Sequence, residues 1–216
     1  MAEVNLLDKY PKIKRNLDER AASTDDDRQI AKQFGKEYFD GTRSTGYGGY
    51  RYDGRWKPVV AHFIEHYGLT NKSRILDIGC AKGFMLHDFK EALPDATVAG
   101  IDISTYAIEN SLPSVKPFVK IGNAIKLPYP DKSFDLVIAI NTLHNLKGEE
   151  LNVALREMER VSAKDKYTIN DAYLNDEERA ALMKWNLTAV TILHRREWEK
   201  LFSQVGYSGD YYWFTP

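Results

Sequence analysis

Arg74-Ile75-Leu76-Asp77-Ile78-Gly79-Cys80-Ala81-Lys82-Gly83-Phe84 decides how this chain is read. An apolar run reaches an acidic residue, two glycines follow four positions apart, and a helical pattern starts at Phe84. That order describes a strand, a tight loop and a helix. Glycines in such a loop let a ligand approach bare backbone, and the free N–H groups of the helix start point at it. The dinucleotide fingerprint G-x-G-x-x-G is not present here, and neither is the phosphate loop G-x-x-x-x-G-K-[ST].

Two later segments extend the pattern. Thr97-Val98-Ala99-Gly100-Ile101-Asp102 reads as a second strand ending in a carboxylate. It follows the first acid at the interval expected of a ribose-reading acid in a βαβ unit. Asp102 also precedes a helix start at Ser104 and can cap it; the two roles are compatible. The third segment, Gly122-Asn123-Ala124-Ile125-Lys126-Leu127-Pro128-Tyr129-Pro130-Asp131-Lys132-Ser133-Phe134-Asp135, leads into the apolar run Leu136–Ile140.

Taken in order, the three segments resemble class I S-adenosylmethionine-dependent methyltransferases of the small-molecule type, over roughly residues 70 to 145. The first matches the loop D-x-G-x-x-x-G, with Ala81 where a middle glycine is common. The third matches G-D-A-x-x-L-P-F-x-D-x-S-F-D, with Asn123 in place of the aspartate. The resemblance implies S-adenosylmethionine as cofactor. It implies a pocket made by Asp77, Gly79, Cys80, Ala81 and Gly83, by Asp102 and Ile103, by Asn123 and Ala124 at the adenine, and by Asn141 beside the methionine part. An Asn amide oxygen can accept the adenine amino hydrogen as an Asp would. For the methionine carboxylate, Arg51 or Arg55 offers a two-pronged partner, with Arg55 taken as the site residue; pairing with Asp53 is the alternative.

Alternating strands and helices predict an α/β, Rossmann-like, mostly parallel sheet of six or seven strands with helices on both faces. The strands fall at about 74–78, 97–102, 117–121, 134–140, 166–172 and 210–214. Relatives usually end in two strands, the last antiparallel. One candidate is visible here, so the expectation is six strands or pairing with an unexpected segment. Residues 58–216 form the cofactor domain, and residues 1–57 an N-terminal extension. Within the extension, residues 1–27 read as a loosely packed, charged arm, and Ile30, Phe34 and Tyr38 mark one helix over 28–39. Residues 40–56 hold five glycines among aromatics and arginines, which must form a loop covering something.

His144, directly after the fourth strand, is placed either to take a proton from an acceptor or to bond a backbone carbonyl. Asp171 at the end of the fifth strand is second. Tyr47, Tyr50, Tyr52 and Trp56, with Asn145, form either an aromatic substrate lid or a core staple. No histidine has metal-ligand spacing. The net charge of −1 and the interspersed acids and bases give no reason to expect nucleic acid or an anionic membrane as partner. One cysteine, Cys80, excludes an internal disulfide and suits a cytoplasmic setting. The favoured function is methyl transfer to an oxygen or nitrogen of a small metabolite. The rivals are a protein or RNA acceptor, and a non-catalytic module that keeps the pocket.

Overall fold

In a wholly parallel sheet the strand order reverses once, between the first and fourth strands, and that reversal positions the crevice. In the computed structural model, residues 1–12 and 15–216 are described. In chain order the elements are α1 (Leu17–Ala21), α2 (Asp25–Ala31), α3 (Lys36–Asp40), α4 (Lys57–Tyr67), β1 (Arg74–Ile78), α5 (Phe84–Ala92), β2 (Thr97–Asp102), α6 (Thr105–Glu109), β3 (Val119–Ile121), β4 (Phe134–Ile140), α7 (Gly148–Val161), β5 (Ser162–Tyr173), α8 (Asp176–Trp185), β6 (Leu193–His194), α9 (Arg195–Val205) and β7 (Asp210–Phe214). The sheet runs β3-β2-β1-β4-β5, and both β6 and β7 pair with β5. All of these pairings are parallel. Chain direction is therefore common to the whole sheet, and the carboxyl ends of β1, β2 and β4 open on one side of it. In doubly wound sheets that side holds the ligand crevice.

The strands are buried on both faces. β1 carries Ile75 and Leu76 without exposure, and β4 carries Leu136 to Ala139 likewise. One core joins Leu151, Leu155 and Met158 of α7 to Trp198 and Phe202 of α9. The other joins Val59, Val60 and Phe63 of α4 to Leu86 and Phe89 of α5. Helix ends follow their sequence signals. Gly68 and Gly206 close α4 and α9 in the left-handed region. Asn175 caps α8 by accepting from the Glu178 N–H, and His194 with Glu197 forms a capping box at α9.

Of the six or seven strands expected, the sheet has seven, the added one being a two-residue strand, β6, beside the end of β5. Expectations for the N-terminal segment are corrected. β7 is parallel to β5, and the segment that joins it is the N-terminus: Glu3 bridges Tyr211, and the Val4 N–H donates to the Tyr211 carbonyl at 2.9 Å. The opening residues are thus not a loose arm. Leu6 is fully buried among α4 and sheet side chains, and the Tyr167 hydroxyl donates to the Val4 carbonyl at 2.8 Å. Residues 13 and 14 of that stretch lie outside the described residues. Finally, the single helix over 28–39 is two. α2 stops at Ala31, Phe34 takes φ 49°, and α3 starts after Gly35. A left-handed residue beside a glycine breaks the hydrogen-bond ladder, and the side-chain spacing does not reveal that.

Truncating Leu6 tests whether the N-terminus is core. Leu6→Ala should lower unfolding free energy by about 2–5 kcal/mol in urea titration, the range for a buried leucine. A loss near zero would mean that the segment is peripheral.

Candidate functional site

Between β1 and α5 the backbone turns left-handed at Gly79 (φ 78°), Ala81 (φ 49°) and Gly83 (φ 75°). Gly79 cannot be replaced without moving β4's exit. A Cβ on it would stand 2.1 Å from Thr142 Oγ1. Ala81 takes its conformation with a side chain present, at a cost of about 1 kcal/mol. The loop is fastened to β2: the Gly79 and Cys80 N–H groups both donate to the Ile101 carbonyl. Gly100 on β2 lies beneath the loop, where a Cβ would meet Leu86 at 2.6 Å and Cys80 Sγ at 2.7 Å.

Asp102 ends β2 and accepts two backbone hydrogen bonds, from the Ala81 N–H to Oδ2 and from the Ser104 N–H to Oδ1, each 2.8 Å. The carboxylate is thereby aimed before any ligand arrives. Burial raises its pKa above the ordinary value, and the two donors oppose that rise. Asp77 on β1, opposite Gly100, is buried. Desolvation, with the Asp102 charge nearby, pushes its carboxyl up to about 7.

A cavity of about 870 Å³, its mouth included, opens over these strand ends. Its floor holds Gly79, Ala81, Asp102, Ile103, Asn123 and Ala124, and its far wall Asn141, Thr142, Asn145 and Leu146. The Asn123 side chain also accepts from the Ile125 N–H at 3.1 Å, which fixes its plane. Phe34, Tyr38, Phe39 and Tyr47 cover the cavity from the N-terminal segment. Tyr38 packs edge-on against Phe34 and Tyr47 with centroids 5.2 and 5.1 Å away. No lysine or arginine lines the cavity among the described residues.

The cover is tied to the loop below it. The Lys82 ammonium, buried, donates to Asp40 Oδ2 at 2.6 Å and to the Tyr50 carbonyl at 3.0 Å. The Tyr106 hydroxyl donates to the same carboxylate at 2.7 Å, and the Ser104 hydroxyl to the Phe34 carbonyl.

Several residues singled out from sequence do not line this cavity. Arg55 is held two-pronged by Asp53 and reaches Tyr10, so its guanidinium is spent away from the site. Trp56 packs on Tyr10 with centroids 4.9 Å apart. Tyr50 stacks on Phe84 at 4.6 Å, and Tyr52 donates to Asp88 at 2.5 Å. These three rings staple the segment to the domain; only Tyr47 of the four aromatics faces the cavity. Asp77, Cys80 and Gly83 sit behind the lining as supports. His144 and Asp171 meet, but inside the protein. The Asp171 N–H donates to His144 Nδ1 at 3.1 Å, Asp171 Oδ1 lies 3.1 Å from the same nitrogen, and both residues are 5% exposed. The His144 carbonyl accepts from Val190 and Thr191, which fixes the loop after α8. Neither side chain is on the cavity wall, which corrects the expectation that they face an acceptor. Conversely, Phe34, Tyr38, Phe39, Thr142 and Leu146 were missed. The usable signal was Gly35 following Phe34, a chain break that turns aromatic side chains of a supposed helix stripe into a cover. No cluster of three metal-ligating side chains occurs among the described residues.

Comparison with known proteins agrees with this geometry. Residues 76–169 match the family described as the methyltransferase domain. A demethylmenaquinone methyltransferase of Roseiflexus sp. is 36% identical over 93 residues, 41% of this chain and 38% of that protein. A tRNA (carboxymethyluridine(34)-5-O)-methyltransferase of Arabidopsis thaliana is 30% identical over 146 residues, 67% of this chain and 34% of that protein. The chain therefore spans under two-fifths of the length of the curated relatives it matches first. Among solved structures, the YcgJ protein of Bacillus subtilis superposes with TM-score 0.55 at 22% identity, covering 68% of this chain and 66% of that one, which supports the fold.

The Asp77 shift carries a sign that can be measured. A carboxyl whose pKa rises from 3.8 to about 7 on folding keeps its proton in the native state where the unfolded chain has lost it. Its contribution therefore declines as pH climbs from about 4 to about 7, by a few kcal/mol in all. Asp77→Asn should flatten the pH dependence of unfolding free energy across that window; an unchanged slope would show that Asp77 ionises freely.

Proposed function

We propose that the class I S-adenosylmethionine-dependent methyltransferase domain carried by this chain passes a methyl group to an oxygen or nitrogen of a small molecule. The observation that carries the reading is a cavity at the carboxyl ends of β1, β2 and β4, walled by aromatic rings and amides. The methyl donor is S-adenosylmethionine, and when bound it supplies an electrophilic methyl on a sulfonium. The residues present fit it. Asp102, held by two backbone donors, suits a pair of ribose hydroxyls. Asn123 and Ala124 stand where an adenine edge would lie, and Gly79 leaves bare backbone for the amino-acid portion. An anionic floor with no lysine or arginine on the wall suits a ligand that is positive overall.

This chain's own contribution is then positioning. Asn141, Thr142 and Asn145 offer polar contacts at the far wall, and Tyr38, Tyr47 and Phe34 exclude water. Holding acceptor and methyl in line supplies most of the rate gain for such a transfer. With His144 and Asp171 buried behind the wall, the one carboxylate on the lining among the described residues is Asp102, which the ribose would occupy. The acceptor's own acidity or lone pair therefore has to serve. The aromatic cover also favours a small acceptor. A tRNA base would have to be flipped out of its stack to enter, and a net charge of −1 gives the chain no overall attraction for a nucleic-acid backbone. The name of the Roseiflexus relative points the same way.

Isothermal titration tests the reading. The chain should bind S-adenosylmethionine and S-adenosylhomocysteine, and Asp102→Ala should weaken both by about tenfold or more through lost charge-assisted hydrogen bonds. Absence of binding by the wild-type chain would defeat the assignment.

A further inference from the structure

Three arginines converge on one ring. The guanidinium carbons of Arg15, Arg20 and Arg43 stand 5.6, 4.8 and 5.7 Å from the centre of Trp185, and that of Arg15 also stands 4.7 Å from Phe214. None of the three has a carboxylate within ion-pair distance among the described residues. In a chain with 31 acids against 30 bases this is an unusual concentration of unneutralised charge. Arg20 is the sharpest case. It is only 6% exposed, and its Nη1 is buried with no hydrogen-bond partner among the described residues. A buried guanidinium without a counter-charge is costly. Burial and the neighbouring Arg43 both depress its pKa, to about 10. Stacking over Trp185 offsets part of that cost.

The cluster stands beside the cavity. Trp185 ends α8 and Phe214 ends β7, opposite Asp171 near the carboxyl end of β5. It is therefore on the crevice side of the sheet. Arg20 donates to the Gly46 carbonyl at 3.0 Å, and Arg43 to the Tyr47 carbonyl at 2.9 Å. Tyr47 is part of the cavity's aromatic cover. The cations are thus bonded to the backbone that carries Tyr47, a ring of the cavity cover.

We propose that Arg15, Arg20 and Arg43 around Trp185 form an anion subsite that receives a phosphate or carboxylate group of the methyl acceptor. The assignment of that anion to the acceptor rests on the methyltransferase reading; the subsite itself does not. Guanidinium groups bind both anions in two-pronged fashion. The substrate class that follows is a small acidic molecule, with its nucleophilic oxygen or nitrogen at one end and its charge at the other.

Titration calorimetry on the full chain reads the subsite without the natural acceptor, using inorganic phosphate in one arm and benzoate in the other. Saturable binding of either probe is expected, and the tighter one identifies the group. Arg43 is exposed, so Arg43→Ala should fold, which its circular-dichroism melt checks, and it should weaken the probe by about tenfold. Arg20→Lys should weaken it too, because a point charge cannot replace the fork. Arg156→Ala, which removes a surface arginine paired with Glu149, should leave probe binding unchanged. No saturable binding to wild type, or equal binding to Arg43→Ala, would overturn the subsite and leave the cluster as packing between α1 and α8. S-adenosylmethionine titrated in parallel separates the two readings. Cofactor binding that persists in Arg43→Ala while the probe is lost supports both. Probe binding in a wild-type chain that ignores the cofactor sinks the methyltransferase reading alone.

Discussion

The Asp102 carboxylate is the joint on which the site depends. Its two oxygens are claimed by backbone N–H groups from opposite directions, one in the glycine loop and one at the start of α6. That single group closes the loop against β2, starts the next helix and still leaves lone pairs facing the cavity. A carboxylate held this way is pre-organised, so little ordering remains to be done on binding. The loop can wrap so closely only because Gly79 and Gly100 lack side chains; each faces a neighbour well inside contact distance of a Cβ. The geometry of the pocket is therefore written mostly in backbone.

A second fastening runs from that loop to the cover. Lys82 belongs to the glycine loop, yet its ammonium is bound by Asp40 and by the Tyr50 carbonyl of the N-terminal segment. Tyr106 of α6 completes the network at the same carboxylate. The floor and the cover are consequently one mechanical unit, and movement of the aromatic cover has to be felt at the loop. Removing one partner of a buried pair strands the other charge, so this link is more costly to break than a surface ion pair.

The central fold was legible because three kinds of signal agreed there: strand-length apolar runs, glycines at fixed intervals and helix caps. Strands β1, β2 and β4 fall at the residues the pattern names. The N-terminal third was not legible, for two physical reasons. Its contacts are long-range, as with Leu6 under α4 and Glu3 beside Tyr211, and charge-rich local sequence conceals them. In addition, Phe34 adopts a left-handed conformation that few side chains choose, which splits an apparently regular helix. Among the site residues, most of those set by backbone pattern lie on the cavity, with Asp77, Cys80 and Gly83 just behind it. Of those picked for chemical type, Tyr47 and Asn145 line it, but Arg55 has Asp53 beside it in sequence, and His144 has the end of β5 beside it in space. Local partners of charged side chains win over distant ligands unless the fold prevents it.

Charge of both signs is buried around the crevice. Asp77 and Asp102 lie at its floor, both with pKa values raised by burial. The arginines gather around Trp185 and bond the backbone carbonyls of Gly46 and Tyr47. Placing a sulfonium near the acids stabilises the charge that the methyl donor brings, and that charge disappears on transfer. The same acids therefore favour the charged reactant over the neutral product, which slows chemistry while aiding product exchange. Burial limits the penalty: with Asp77 at about 7, part of the negative charge is absent near neutral pH before the cofactor arrives.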